Sequence, residues 1–291
     1  MNIKTKIIFL LALTLSVSAF SDVPRNFSSA KKKARIIFND NRQTLYCGCK
    51  YSKKMKVDLK SCGMQQASNK KRAKKIEFEH MMPAENFGQH FKCWREKICS
   101  KKNGKKYRGR KCCEKVDKYF RKAESELYNL WPAVGLVNAA RSNYRYSEIN
   151  SSKKFYGCDF KVQNRKVEPS DKVKGLVARA NLFMSEKYNI KLSRSQKKLF
   201  DTWNKKFPPS ARELNWAKRV EKIEGYPNPY IKEAKPEVIG GSQVLPPKYL
   251  SVPGFKKCLS EKSMGTWTSI CLPIKMPSSC ATDSWKQLTK M

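Results

Sequence analysis

The adjacent side chains of Glu79 and His80 have the chemistry of a metal-assisted hydrolytic site. Histidine is the side chain whose ordinary pKa suits proton transfer near neutral pH, so His80 can act as a general base. The carboxylate of Glu79 can hold a hard cation such as Mg²⁺, which needs only one or two protein ligands and keeps several waters. Together the two side chains predict hydrolysis by a water molecule that His80 activates beside a bound cation.

The alternative interpretation of this pair is structural, with His80 packed in the core and Glu79 a solvated charge at the end of a strand. Successive side chains of a regular strand point to opposite faces, so the two could not share one site inside a strand. Pro83 lacks a backbone donor and indicates that the strand is ending. We therefore expect Glu79 and His80 at a strand end or at a bulge.

A second candidate metal ligand is Asn138, on a helix predicted over residues 133–140 with Pro132 in its first turn. Its amide oxygen is a neutral ligand. A site built from Asn138 and Glu79 therefore keeps less negative charge than one built from several carboxylates, and it stays attractive to phosphate. The alternative for Asn138, as for Asn129, is a helix cap or a buried hydrogen-bonding role.

The elements that must position these side chains are a short central strand and a set of helices. Apolar residues recur at helical spacing, with charged residues between them. Ser193 and Gln196 form a capping box, and Gly225 is a typical helix end. We predict helices over residues 27–39, 114–128, 173–188, 193 to just before Pro208, and 212–224, a strand over 44–51 and a basic loop over 100–110. The predicted fold class is α+β.

The chain is strongly basic, with a formal net charge of +38 that is spread along its whole length. Such a field attracts polyanions and speeds their encounter. Aromatic residues lie between the basic ones and would allow base stacking. Nucleic acid is therefore the expected partner. The alternative is a cationic surface that keeps the protein soluble or binds anionic membranes.

Residues 1–19 have the layout of a secretory signal peptide. Lysines near the start precede an apolar run over residues 7–15, and Val17-Ser18-Ala19 follows as a small-residue cleavage signal. The apolar run is too short to span a bilayer, and no later segment approaches a transmembrane helix. We expect export to the periplasm or the extracellular medium.

The cysteine content agrees with export, because eleven cysteines suit an oxidising compartment. Eight can pair completely, and the three in the C-terminal tail leave one thiol that is free or bonded to another chain. The first group is Cys47, Cys49, Cys62, Cys93, Cys99, Cys112, Cys113 and Cys158, and the second is Cys258, Cys271 and Cys280.

Structural zinc is the alternative use of some of these cysteines, with the nearby histidines as further ligands. No C-x₂-C pair is present, and the vicinal Cys112-Cys113 is an awkward pair of tetrahedral ligands. Disulfides are therefore the preferred interpretation.

Several separated blocks carry a resemblance to a known family. They are Tyr46-Cys47-Gly48-Cys49, Glu77 to Ala84, Phe87-Gly88, Asn129 to Asn138, Arg141-Ser142-Asn143, Lys191 to Arg194, Trp203-Asn204-Lys205 and Gly225 to Pro229. In this order they resemble the bacterial endonuclease I family of secreted or periplasmic non-specific nucleases. The resemblance covers about residues 27–231, whereas the tail and its three cysteines depart from the pattern.

The resemblance implies a ββα-metal, or His-Me finger, motif in which two strands and a helix grip one Mg²⁺, with Mn²⁺ or Ca²⁺ as substitutes. By position, Glu79 and Asn138 would be the metal ligands and His80 the general base. Arg110 would stabilise the cleaved phosphate, with Arg108 as its competitor. These groups supply what in-line phosphodiester hydrolysis needs: a base for water, a cation at the leaving oxygen and positive charge at phosphorus.

The resulting expectation is a signal peptide over residues 1–19, a nuclease domain over 20–231, and a proline-rich linker with a cysteine-containing extension over 232–291. We expect a monomer that cuts DNA, and also RNA, with low specificity, because contacts to the backbone carry no sequence code. The alternative function is a non-catalytic, cationic secreted protein that binds nucleic acid or a host surface.

Overall fold

Helices and short strands alternate along the part of the chain that the structure describes. The computed structural model describes residues 23–232 and, beyond them, only the backbone of residues 249–250, 255–263 and 266–273. The predicted signal peptide over residues 1–19 lies outside the described residues, as does most of the predicted linker and extension. The predicted α+β class is confirmed, and the elements are as follows.

The helices of the described residues are α1 (Phe27–Ile37), α2 (Ala84–Gly88), α3 (Lys92–Arg95), α4 (Arg110–Val116), α5 (Lys118–Glu124), α6 (Gly135–Arg141), α7 (Asp171–Lys187), α8 (Arg194–Lys206) and α9 (Ala211–Glu224). Their strands are β1 (Ile76–His80), β2 (Cys99–Ser100), β3 (Lys106–Tyr107), β4 (Leu130–Val134), β5 (Arg145–Tyr146), β6 (Phe160–Gln163), β7 (Lys166–Pro169), β8 (Tyr249–Leu250), β9 (Phe255–Ser263) and β10 (Thr266–Pro273). None of the helices in the described part of the chain has the length and apolar character that a membrane span requires.

The antiparallel pair of β1 and β4 lies at the centre of the first unit of the chain, which ends at Glu233. Every residue of β4 is buried, and α6 begins directly after it. The register places Glu79 opposite Trp131 and His80 opposite Leu130. The strand that carries the Glu-His pair, β1, thus packs against β4 and against the helix that follows β4.

The prediction that Pro132 lies in the first turn of a helix is wrong. Pro132 lies within β4, opposite Phe78, and its carbonyl oxygen accepts from the Leu45 N–H at 2.8 Å. A strand of a two-stranded pair has one edge that needs no ladder donor, so it tolerates a proline. The helix starts at Gly135, whose N–H donates to the carbonyl of Lys75 at 2.8 Å.

The predicted single helix over residues 114–128 is two helices. Asp117 has an extended backbone, and its carboxylate accepts hydrogen bonds from the N–H groups of Tyr119 and Phe120. It therefore ends α4 and caps α5. Apolar spacing alone does not reveal this interruption, because the spacing continues across it.

Two other short predicted elements also differ. Residues 44–51 form a tight turn between isolated bridges, in which Gly48 has a φ of 64°, and they do not form a strand. The predicted loop over residues 100–110 contains the β2–β3 hairpin, and Arg110 opens α4. Disulfide bonds hold both segments in place. The spacing of the cysteines does not show which of them pair, so the sequence does not report this constraint.

The three long C-terminal helices of the first unit agree with the predictions to within two residues. The Ser193 side chain caps α8 by accepting from the Gln196 N–H, and Gly225 ends α9 with a φ of 79°. Eleven residues of α7 are buried, from Lys174 to Met184. This helix therefore runs through the core and not along its surface.

All eight cysteines between residues 47 and 158 are paired, as predicted. The four bonds are Cys47–Cys158, Cys49–Cys62, Cys93–Cys113 and Cys99–Cys112. The cysteines of the zinc alternative are therefore used in disulfides.

The second unit spans residues 234–291, and its described backbone forms a three-stranded antiparallel sheet in the order β10–β9–β8. The register places Cys258 opposite Cys271.

Candidate active site

One cavity of about 650 Å³ is lined by all four residues that the sequence singled out, namely Glu79, His80, Arg110 and Asn138. Glu79 and His80 are the last two residues of β1, as expected for a strand end. Arg110 comes from the first turn of α4, and Asn138 from the middle of α6. Three separate elements thus converge on one open cavity.

His80 is held as a neutral imidazole with one free nitrogen. Its Nε2 lies 2.8 Å from the backbone carbonyl oxygen of Glu124. A carbonyl only accepts, so Nε2 carries the proton and Nδ1 keeps the lone pair of a base. Burial, followed by the charge of Arg110, lowers the pKa of His80 to about 3. The ring also packs against Phe27 at an interplanar angle of 36°, with centroids 4.7 Å apart, which restricts its orientation.

Arg110 is held beside His80 by the same residue that orients the imidazole. Its Nε donates to the Glu124 carboxylate at 2.5 Å, and its guanidinium lies 5.0 Å from the Phe27 ring centroid. Its Nη2 has no hydrogen-bond partner within the described residues, so N–H groups of the guanidinium remain for a further acceptor. The competing Arg108 instead donates to the carbonyl of Arg95 at 2.6 Å.

Glu79 is buried, with 3% of its surface exposed, which rules out a solvated strand-end charge. Tyr46 donates to its Oε1 at 2.8 Å, and Arg141 Nε lies 3.1 Å from the same oxygen as an ion pair whose N–H is not aligned for a hydrogen bond. Burial raises the pKa of Glu79 to about 7, although Arg141 and Tyr46 act in the opposite direction. A cation beside this carboxylate would stabilise its charged form.

Asn138 is oriented by a second carboxylate. Its amide nitrogen donates to Glu77 Oε2 at 2.8 Å, and Glu77 in turn accepts from Arg72 at 2.6 and 3.0 Å. The amide oxygen is thereby left as the free acceptor of Asn138. Gly135 permits this packing, because a Cβ there would come within 2.8 Å of Glu77.

The donor set of the cavity fits a hard cation. Among the described residues, no group of three or more His, Cys, Asp or Glu side chains is arranged to hold a metal. A site made of the Glu79 carboxylate and the Asn138 oxygen would leave most of the ligand positions to water. Mg²⁺ binds in this way, since it keeps its waters and needs only one or two carboxylates.

The chain that leaves β1 is anchored by buried polar groups. Asn129 accepts from the Met82 N–H at 2.6 Å and donates to the Met82 carbonyl at 3.0 Å, so the structural interpretation of this asparagine is confirmed. Arg141 Nη2 donates to the Met81 carbonyl at 2.7 Å, and the Tyr146 hydroxyl to the same oxygen at 3.1 Å. These bonds fix the end of the strand that presents His80.

Three residues that orient Glu79 or His80 were not predicted from the sequence, namely Tyr46, Glu124 and Arg141. Tyr46 and Arg141 belong to the blocks that carry the family resemblance, and this was a usable signal. Glu124 is different, because it acts on His80 through its backbone oxygen, which any residue type would supply. Only the carboxylate contact with Arg110 depends on its identity.

The comparisons with known proteins agree on one family. Residues 16–235 match the profile of a family described as Endonuclease I. A protein of Aeromonas hydrophila named extracellular deoxyribonuclease is 38% identical over 216 residues, which cover 72% of this chain and 90% of that protein. A periplasmic deoxyribonuclease of the same species is 37% identical over 233 residues, covering 77% and 93%. Endonuclease-1 of Buchnera aphidicola subsp. Acyrthosiphon pisum is 39% identical over 212 residues, covering 71% and 80%.

A pair of buried carboxylates supports the segment that holds His80. The hydroxyl of Tyr226 lies 2.9 Å from Glu126 Oε2 and 3.1 Å from Glu224 Oε2, and the Leu127 N–H donates to Glu224 at 3.0 Å. Burial, followed by the charge of Glu126, raises the pKa of Glu224 to about 7. The segment over residues 124–129 is therefore tied to α9 by groups that are best accommodated when protonated.

These carboxylates predict that stability falls as the pH rises. The folded state holds a proton on Glu224 up to about pH 7, whereas the unfolded chain releases it near the ordinary value, so the contribution is full below about pH 4 and lost above about pH 7. Replacing Glu224 by Gln should reduce the loss of unfolding free energy between pH 5 and pH 8 by about 2 kcal/mol. Denaturant unfolding at a series of pH values measures it.

The matched control for this prediction is Glu221→Gln, an exposed change on the same helix. It should leave the pH dependence as in the unchanged protein. Equal slopes for the Glu224→Gln variant and the unchanged protein would contradict the interpretation.

Proposed function

Since this chain belongs to the endonuclease I family, we propose that it is a Mg²⁺-dependent endonuclease that hydrolyses phosphodiester bonds of DNA with a water molecule activated by His80. Endonuclease activity follows from the family and from its named relatives. The observation that carries the finer proposal is the single cavity in which His80 and Arg110 meet Glu79 and Asn138.

His80 accepts the proton of the attacking water at Nδ1. The hydrogen bond from Nε2 to the Glu124 carbonyl selects the tautomer in which Nδ1 is the base. When the ring takes up the proton, the same carbonyl stabilises the positive imidazolium. The neutral ring is ready at neutral pH because burial opposes its charged form.

Arg110 binds the phosphate through guanidinium N–H groups that have no hydrogen-bond partner within the described residues. Its Nε is held by Glu124, and its Nη2 has no partner within the described residues. A non-bridging phosphate oxygen is an acceptor suited to it, and its hydrogen bond strengthens as charge develops in the transition state.

Glu79 and Asn138 would hold one Mg²⁺, with Mn²⁺ or Ca²⁺ as substitutes. When bound, the ion supplies positive charge to the leaving oxygen of the phosphodiester. Tyr46 and Arg141 keep the Glu79 carboxylate in place, and Glu77 keeps the amide oxygen of Asn138 turned away from its own carboxylate. The protein groups thus fix the orientation of both ligands in advance.

The protein is secreted or periplasmic, as its extracellular and periplasmic relatives are. Its charge of +38 favours contact with the nucleic-acid backbone. Because such contacts do not read bases, the substrate range should include RNA beside DNA. We assign the nuclease domain to residues 20–231, expect it to act as a monomer, and assign residues 1–19 to a signal peptide.

Replacing His80 by Ala should lower the rate of cleavage by roughly 10²–10⁴-fold, as loss of a general base does, while DNA binding persists. Nicking of supercoiled plasmid by oxidised protein measures the rate, and a gel shift measures binding. The control is His90→Ala, which changes the exposed second histidine and should cleave like the unchanged protein. Equal cleavage by the His80→Ala variant would remove the assigned base. An unchanged protein that shifts the plasmid and never cuts it would favour the non-catalytic binder.

Replacing Asn138 by Ala should raise the Mg²⁺ concentration needed for half-maximal cleavage by at least about 10-fold, because one of the two protein ligands is lost. Titration of activity with Mg²⁺, beside calorimetric titration without DNA, measures this shift. The control is Asn215→Ala, an exposed asparagine of α9. Full activity in EDTA would refute the metal requirement itself.

A further inference from the structure

A second cavity, of about 480 Å³, adjoins the catalytic cavity. The two share Glu85 and Asn143 in their linings, so they lie side by side at this hydrogen-bonded pair. A polymer held at His80 must continue beyond the bond that is cut. The second cavity therefore lies where the neighbouring nucleotides of a bound strand can go.

The second cavity is strongly cationic. Arg145, Arg165, Lys166 and Lys191 line it, and all four are exposed. None of the four forms an ion pair within residues 23–232, in contrast to Arg110 of the catalytic cavity. The carboxylate in the lining, Glu85, accepts hydrogen bonds from neighbouring amide groups. The positive charge is therefore available for an external anion.

The fold places an aromatic ring among these cations. Asn164 and Arg165 have φ values of 48° and 56°, which are the left-handed conformations of a two-residue hairpin turn between β6 and β7. This turn brings the Arg165 guanidinium to 5.7 Å from the ring centroid of the half-buried Tyr144. The guanidinium of Arg165 over the tyrosine ring offers a planar group on which a base can stack, and guanidinium groups suit phosphates.

We propose that this cavity is a binding subsite for the substrate strand next to the scissile phosphate. Phosphates would contact Arg145, Arg165 and Lys166, and an unpaired base would stack at Tyr144. The inference rests on the proposed function and deepens it, since it says where the strand runs and predicts that an unpaired base binds there.

The first test removes three of the cations together, as Arg145→Ala, Arg165→Ala and Lys166→Ala. Its control removes three exposed cations outside both cavities, as Lys118→Ala, Lys205→Ala and Lys218→Ala. Both variants lose the same net charge. Thermal unfolding of each verifies that the fold is kept.

Cleavage is measured on oligonucleotides of increasing length. The subsite variant should lose roughly 10–100-fold in kcat/KM on long substrates, mainly through KM, and should match the unchanged protein on substrates too short to leave the catalytic cavity. The plot of log affinity against log salt should become less steep, by about 2–3 in slope, because three phosphate contacts are lost. Equal losses in both variants, or a loss that is the same at every length, would overturn the proposal.

The second test is Tyr144→Leu, which keeps an apolar side chain and removes the ring. Affinity for a single strand should fall by roughly 10-fold, and affinity for a duplex should stay the same. The control is Tyr119→Leu, a tyrosine that is 65% exposed and lies under Lys118. No change for the single strand would overturn the assigned stacking.

Binding by the His80→Ala protein separates this inference from the proposed function. If the unchanged protein cuts nothing, the proposed function fails, and length-dependent binding lost with the three cations would still support the subsite. If the unchanged protein cuts, and binding by both triple variants depends on length in the same way, the subsite fails alone.

Discussion

The hydrogen bond between His80 Nε2 and the backbone carbonyl of Glu124 is the contact on which the rest of the site depends. It is 2.8 Å long, and it joins the end of β1 to the end of α5. Because the carbonyl accepts a hydrogen bond from Nε2–H, the proton stays on Nε2 and Nδ1 is the nitrogen that can act as a base. The Glu124 side chain then fixes Arg110, so one residue sets both the base and the phosphate-binding arginine.

The surrounding fold keeps this contact in register. Asp117 ends α4 and caps the start of a separate helix, α5, whose last residue is Glu124. The segment that follows is tied to α9 through Glu224 and to the end of β1 through the two hydrogen bonds between Asn129 and Met82. His80 and Glu124 thus approach each other from two elements that are each anchored independently. Two of the four disulfides, Cys93–Cys113 and Cys99–Cys112, close the segment that contains Arg110 and restrict its position.

The sequence allowed prediction of those features that are coded locally. The helices α7, α8 and α9 follow from apolar spacing and from their caps at Ser193 and Gly225. Glu79, His80 and Asn138 follow from motif blocks, whereas Arg110 was assigned by its position alone. The structure places all four in the lining of one cavity, and their chemical roles are proposals. The prediction for Pro132 was wrong, because proline is accepted both in the first turn of a helix and on the free edge of a strand, and the sequence does not distinguish the two. The ties of Glu79 to Tyr46 and of His80 to Glu124 join residues 33 and 44 positions apart, so no local pattern reports them.

The tautomer and charge of His80 are measured directly by its imidazole nitrogen NMR spectrum, recorded on ¹⁵N-labelled His90→Ala protein so that a single ring contributes. We expect a neutral ring protonated at Nε2 and bare at Nδ1, unchanged from neutral pH down to about pH 5, because burial and Arg110 lower the pKa of His80 to about 3. A ring protonated at Nδ1, or one that takes up a second proton between pH 6 and pH 7, would contradict this expectation.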